Sequence, residues 1–190
     1  MEQKGGMTMQ YYADENLLIR DMEPADVLPL CEAERAQGWL NASPEKNEAR
    51  LRDRDAGRCV ALTALWQGEP AGYVSVCWNP ENGPFAGMGI PEIVDFNVIA
   101  RLRRRGIGAR LMAAAERIAA GKCSRVCLGV GLHGGYGSAQ RMYVRRGYVP
   151  DGSGVWYRDR NLPEGAPCMN DDDLVLYLSK SLGGEQYDGR

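Results

Sequence analysis

A chain of 190 residues, 44% hydrophobic and 25% charged, is long enough for one domain with one core and too balanced for extended disorder. Its formal net charge of −2 gives no general attraction to nucleic acid, and no apolar run reaches the eighteen or so residues of a membrane helix. Cys31, Cys59, Cys77, Cys123, Cys127 and Cys168 are scattered with no apolar leader ahead of them, as expected for reduced core thiols of a cytoplasmic protein. One histidine and no Cys-x-x-Cys pair offer zinc too few ligands, so no metal is expected.

Residues 1–10 are polar and glycine-containing and read as a flexible leader; 11–182 read as the domain and 183–190 as a flexible tail. Leu17 to Asp21 predict a short strand, and Pro24-Ala25-Asp26 open a helix through about Gln37. Pro44 to Asp55 predict a second helix, highly charged and therefore peripheral. Arg58–Trp66 and Ala71–Trp78 are β-rich and separated by Gln67-Gly68-Glu69-Pro70, the signature of an antiparallel hairpin. Ile90 to Ile99 are rich in Ile, Val and Phe and read as a strand buried on both faces. Arg125–Val130 predict the next strand, parallel to it through a helical crossover. A helix follows from Gly134 to Gly147, then an irregular stretch from Pro150 to Asp172, then a last strand over Asp173–Ser179.

Between the Ile90–Ile99 strand and the next lies Arg103-Arg104-Arg105-Gly106-Ile107-Gly108, running into an amphipathic helix whose apolar positions are Ile107, Leu111, Ala115 and Ile118. Two glycines let the backbone approach an anion, and the first amides of a helix have no intrahelical partner and sit at the positive end of its dipole. That combination suits a pyrophosphate. The dinucleotide fingerprint would need a third glycine and the P-loop a Gly-Lys-Ser or Gly-Lys-Thr, and both are absent.

The hexamer resembles the acetyl-CoA signature of the GNAT N-acetyltransferases, in which Gln or Arg is followed after two residues by Gly, one residue, and Gly or Ala. Ala139, Tyr143, Gly147 and Tyr148 reproduce a second pattern of that family, downstream and in the expected order. Tyr136 departs from it, standing where members often carry Asn. The resemblance spans about Leu17 to Lys180 and implies an α/β GNAT fold: a central mixed, mostly antiparallel twisted sheet of six to seven strands flanked by about four helices. It implies acetyl-CoA as co-substrate, lying along Phe96, Val98 and Ile99 and held by Arg103, Arg104, Arg105, Gly106, Ile107, Gly108 and Ala109. It also implies transfer of acetyl to a primary amine by direct attack in a ternary complex, the transient oxyanion being met by a strand amide near Val98.

Attack needs a neutral amine, and for an ammonium of pKa about 10.4 deprotonation at pH 7 is uphill by about 4.6 kcal/mol, so a base helps. The candidates are Glu92 and Asp95. Glu92-Ile93-Val94 resembles the base-bearing strand of the histone-acetylating members, and period two puts Glu92 on one face with Val94, Phe96 and Val98, and Asp95 on the other with Asn97 and Ile99. Tyr143 is the candidate acid for the departing thiolate, from its motif position. The expected partner is a small-molecule or peptide amine, with no nucleic acid and no membrane; a homodimer is left open. The rival reading is a catalytically silent acetyl-CoA sensor or interaction module.

Overall fold

The computed structural model describes residues 8–39 and 41–183, so most of the expected leader and tail lies outside the described residues. In chain order the elements are β1 (Gln10–Ala13), β2 (Leu17–Asp21), α1 (Val27–Ala36), α2 (Pro44–Asp55), β3 (Cys59–Trp66), β4 (Glu69–Cys77) and β5 (Glu92–Val98). There follow α3 (Ile107–Ala120), β6 (Arg125–Gly131), α4 (Gly137–Arg145), β7 (Val149–Tyr157), β8 (Arg160–Asn161) and β9 (Leu174–Ser181). The nine strands hydrogen-bond in the order β1-β2-β3-β4-β5-β6-β9-β7-β8. The β5 and β6 strands are parallel, as a helical crossover requires, while β1 with β2, β2 with β3, β6 with β9, and β7 with both β8 and β9 are antiparallel.

The chain folds as two compact units, one running to Ser75 and including Asp95–Ala115, the other comprising Val76–Val94 and the chain from Glu116 onward. In the first, Leu17, Ile19, Leu30, Leu62, Val74, Ile99, Ile107 and Leu111 are buried around β2 to β4. In the second, Val126, Leu128, Tyr143, Tyr148 and Leu178 are buried, and Glu116, only 8% exposed, is held by Arg146 at 2.7 Å and Lys180 at 3.0 Å.

The sheet exceeds the expected six to seven strands because β1 starts at Gln10, inside the expected leader, and because β7 and β8 occupy part of the stretch read as irregular. The β7 strand pairs Val149 with Ser179 and Pro150 with Leu178, loses register, and resumes with Val155 opposite Leu176. An interruption of that kind erases the alternation by which a strand is recognised. Helix α2 is less peripheral than its charge suggests: Asn47 and Leu51 are buried, and the Arg50 side chain is 11% exposed.

The β5 strand also differs from the fully buried strand expected. Ile93 and Asn97 are buried but Asp95 is exposed and has a φ of 54°. A left-handed residue breaks the pleat, so counting faces by twos from Glu92 does not carry past Asp95.

Candidate functional site

The expected pyrophosphate turn lies in the first unit. Arg104 and Gly106 have φ of 66° and 80°, which bends the backbone sharply before α3, and a methyl built on Gly106 would meet nothing within 4 Å. An alternation of left-handed residues curls successive amides toward one side, the geometry of an anion nest. The first α3 bond returning to the turn runs from the Arg110 amide to the Gly106 carbonyl at 3.1 Å, so the Ile107 and Gly108 amides precede the helical ladder. These residues fit a pyrophosphate.

Gly108 has a second reason to be glycine. A methyl there would stand 3.1 Å from Phe96 Cζ and 3.4 Å from Val98 Cγ2, so its bareness lets α3 lie close on β5. The three arginines are exposed and differ in use: Arg103 Nε donates to the Val98 carbonyl at 3.0 Å, and Arg105 lies over the Trp66 ring at 5.3 Å. Ile99 is buried, and its amide donates to the Ala71 carbonyl at 2.9 Å.

Asp95 belongs to the same unit and is ion-paired: Arg50 Nε donates to its Oδ2 at 2.9 Å. Arg50 also donates to Asn47 Oδ1 at 2.5 Å and lies over the Tyr73 ring at 4.3 Å, while the Tyr73 hydroxyl donates to the buried Glu34. Sequence reasoning named Asp95 as a candidate base. It missed Arg50, Tyr73 and Glu34, whose association is made only by tertiary structure.

Glu92 lies in the second unit, part-buried, opposite Cys127 of β6. Among the described residues no hydrogen bond or ion pair engages its carboxyl. Burial, and after it the charge of Asp159, push its pKa up from 4.5 to about 7. The surroundings are anionic and aromatic. Cys127 clusters with Phe85 and Tyr177, Trp156 meets Tyr177 edge-on at 5.6 Å, and the Tyr177 hydroxyl is pushed up to about 12 by burial and then by Glu92 and Asp159.

Tyr143 of α4 is 6% exposed and stacks edge-on against Tyr148 at 5.8 Å; burial, and then Tyr136, raise its hydroxyl above the usual phenol range. It stays protonated at neutral pH, as a proton donor must. Tyr136, in the place of the family Asn, covers Gly131 so closely that a side chain there would collide with its ring. Its hydroxyl donates to Asp172 at 3.0 Å, and the same oxygen meets His133 Nε2 at 2.9 Å. His133 Nδ1 accepts the Gly135 amide at 3.1 Å, which leaves Nε2 to carry the proton toward Asp172. Thus His133, Tyr136 and Asp172 fasten the 162–173 segment to the start of α4.

No group of three or more His, Cys, Asp and Glu able to hold a metal ion occurs among the described residues, and no helix among them is long and apolar enough to cross a membrane.

The fold is that of known N-acetyltransferases. It matches RimL, the ribosomal L7/L12 alpha-N-protein acetyltransferase, with a TM-score of 0.68 at 14% identity over 95% of this chain and 98% of that one. It matches yncA from Salmonella typhimurium, a putative acetyltransferase solved with its cofactor acetyl-CoA, with a TM-score of 0.65 at 15% identity over 90% and 96%. A GNAT acetyltransferase from Streptococcus pneumoniae matches with a TM-score of 0.61 at 21% identity over 88% of this chain and all of that one. No curated protein matches the chain significantly by sequence. The likeness is one of architecture, and it includes the helix α3 that the glycine turn opens. The acetyltransferase (GNAT) family model matches residues 25–148, so the chain belongs to the GNAT acetyltransferase family.

Proposed function

We propose that the protein transfers acetyl from acetyl-CoA to a primary amine, by direct attack in a ternary complex. The turn from Arg103 to Ala109 holds the pyrophosphate through the amides of Ile107 and Gly108, with Phe96, Val98 and Ile99 lining the path of the arm. Acetyl-CoA supplies an activated thioester. Glu92 accepts a proton from the incoming ammonium, directly or through water. The Val98 amide donates a hydrogen bond to the carbonyl oxygen as negative charge develops there, and Tyr143 gives its hydroxyl proton to the departing thiolate.

The observation that carries this reading is the Glu92 carboxyl, part-buried, without a hydrogen bond or ion pair among the described residues and pushed up to about 7, where a base works best at neutral pH. Its anionic and aromatic neighbours favour approach of a cation, which supports an amine acceptor, small molecule or peptide. That RimL acetylates a protein α-amine is in keeping with such an acceptor. The six cysteines, three of them buried, are in no disulfide among the described residues, which is compatible with a reducing cytoplasm.

Calorimetry with acetyl-CoA, followed by thiol release against a panel of primary amines, tests the reading. Binding with turnover on at least one amine is expected. Binding with no turnover on any amine would instead favour a silent acetyl-CoA sensor.

A further inference from the structure

The left-handed conformation of Asp95 is the feature of β5 that neither burial nor sequence accounts for. A φ of 54° is a conformation that L side chains rarely adopt; aspartate is among the few that tolerate it, and within a strand its partners decide whether it is kept. Glycine, the residue that would adopt it freely, is not used. The holding group is Arg50, whose Nε reaches Asp95 Oδ2 at 2.9 Å.

Arg50 is itself fixed from several sides. Its side chain is 11% exposed, it donates to Asn47 Oδ1 at 2.5 Å, and its guanidinium lies 4.3 Å from the Tyr73 ring centre. Asn47 is fully buried and reaches the Val27 carbonyl at 3.5 Å; Tyr73 is anchored by its hydroxyl on Glu34. A continuous polar chain therefore runs from α1 through β4 and α2 to one exposed carboxylate on β5. So many fixed partners are more than a solvent-exposed aspartate needs for its own sake.

The residues beyond Asp95 on the strand cannot adjust independently. A methyl on Gly72 would collide with the Asn97 carbonyl, one on Gly108 would press on Phe96 and Val98, and the Ile99 amide is bonded to Ala71 at 2.9 Å. The direction set at Asp95 thus passes into Phe96–Val98 without slack. Resting on the acyl-transfer reading above, we infer that Arg50 is a positioning residue: by clamping Asp95 it aims the Val98 amide at the thioester carbonyl.

The test is infrared spectroscopy of the carbonyl of 13C-acetyl-CoA bound to wild type and to the Arg50→Gln, Arg50→Lys and Asp95→Asn variants. Calorimetry, kcat and thermal unfolding are read alongside. A correctly aimed amide lowers the carbonyl stretch below that of free acetyl-CoA. In R50Q the stretch should move back toward the free value and kcat fall by about ten- to a hundredfold, with acetyl-CoA affinity within about threefold of wild type. R50K should recover part of both losses. D95N should reproduce them, and the double variant should be no worse than either single one.

A wild-type stretch and kcat in R50Q, or losses that multiply in the double variant, would overturn the inference. Where R50Q fails to fold, R50K and D95N carry the same comparison. A wild-type protein that binds no acetyl-CoA would overturn the acyl-transfer reading and the inference with it, whereas normal binding with insensitive variants overturns the inference alone.

Discussion

Glu92 and Asp95 stand three residues apart on one strand, and their surroundings treat them in opposite ways. Asp95 is exposed, yet its carboxylate is committed to Arg50 at 2.9 Å. Glu92 is part-buried, yet the charge that acts on it is that of a second carboxylate, Asp159. An ion-paired carboxylate is held in place, so it serves geometry; a carboxyl withdrawn from water beside another carboxylate is held near its protonation midpoint, so it serves proton transfer. Exposure by itself would have assigned the roles the other way round.

The sharpest way to break this contrast is Glu92→Gln, which keeps the shape and removes the base. Turnover should fall by about 10²–10⁴-fold with little change in acetyl-CoA affinity, measured by thiol release and calorimetry. Asp95→Asn should lower turnover by about ten- to a hundredfold, and its pH profile should keep the limb that Glu92 produces. Loss of that limb in D95N would reverse the two assignments. Asp159→Asn removes the lesser of the two causes acting on Glu92, so the acidic limb should move below about 7 while burial keeps it above 4.5.

The smallest effect concerns stability. The folded chain holds Glu92 protonated between pH 4.5 and about 7, where the unfolded chain has already released the proton. Native Glu92 therefore binds more protons than unfolded Glu92, and its contribution to stability declines as pH rises through that window. E92Q removes the decline. Relative to wild type it should gain about 3 kcal/mol at pH 8 and nothing at pH 4, as chemical denaturation at the two pH values would show. A base kept at a cost to the fold is what a functional carboxyl looks like; equal stability at both pH values would mark Glu92 as an ordinary surface residue.

Much of the first unit was legible in the sequence because its signals are local. Leu17–Asp21 and Pro44–Asp55 have the bounds their apolar run and proline start indicate, and α3 begins at Ile107 where the glycine turn ends. Strand β1 was hidden because Gln10–Ala13 carries no apolar run and has meaning only paired with β2. Strand β7 was hidden by its own interruption between Pro150 and Val155.

In the candidate site, the turn stood out by its glycines and spacing, and Glu92 and Tyr143 by the family resemblance of the segments that carry them. Arg50 did not: on a helix of charged residues an arginine reads as solvated, and only the meeting of α2 with Asp95 and Tyr73 reveals its use. The left-handed Asp95 was equally silent, since aspartate tolerates that conformation without announcing it.

The pH dependence of kcat/KM for acetyl transfer, wild type against E92Q, tests the central claim most directly. The account predicts an acidic limb near pH 7 in the wild type that is missing from the residual activity of the variant. The same limb at the same pH in both proteins would contradict it.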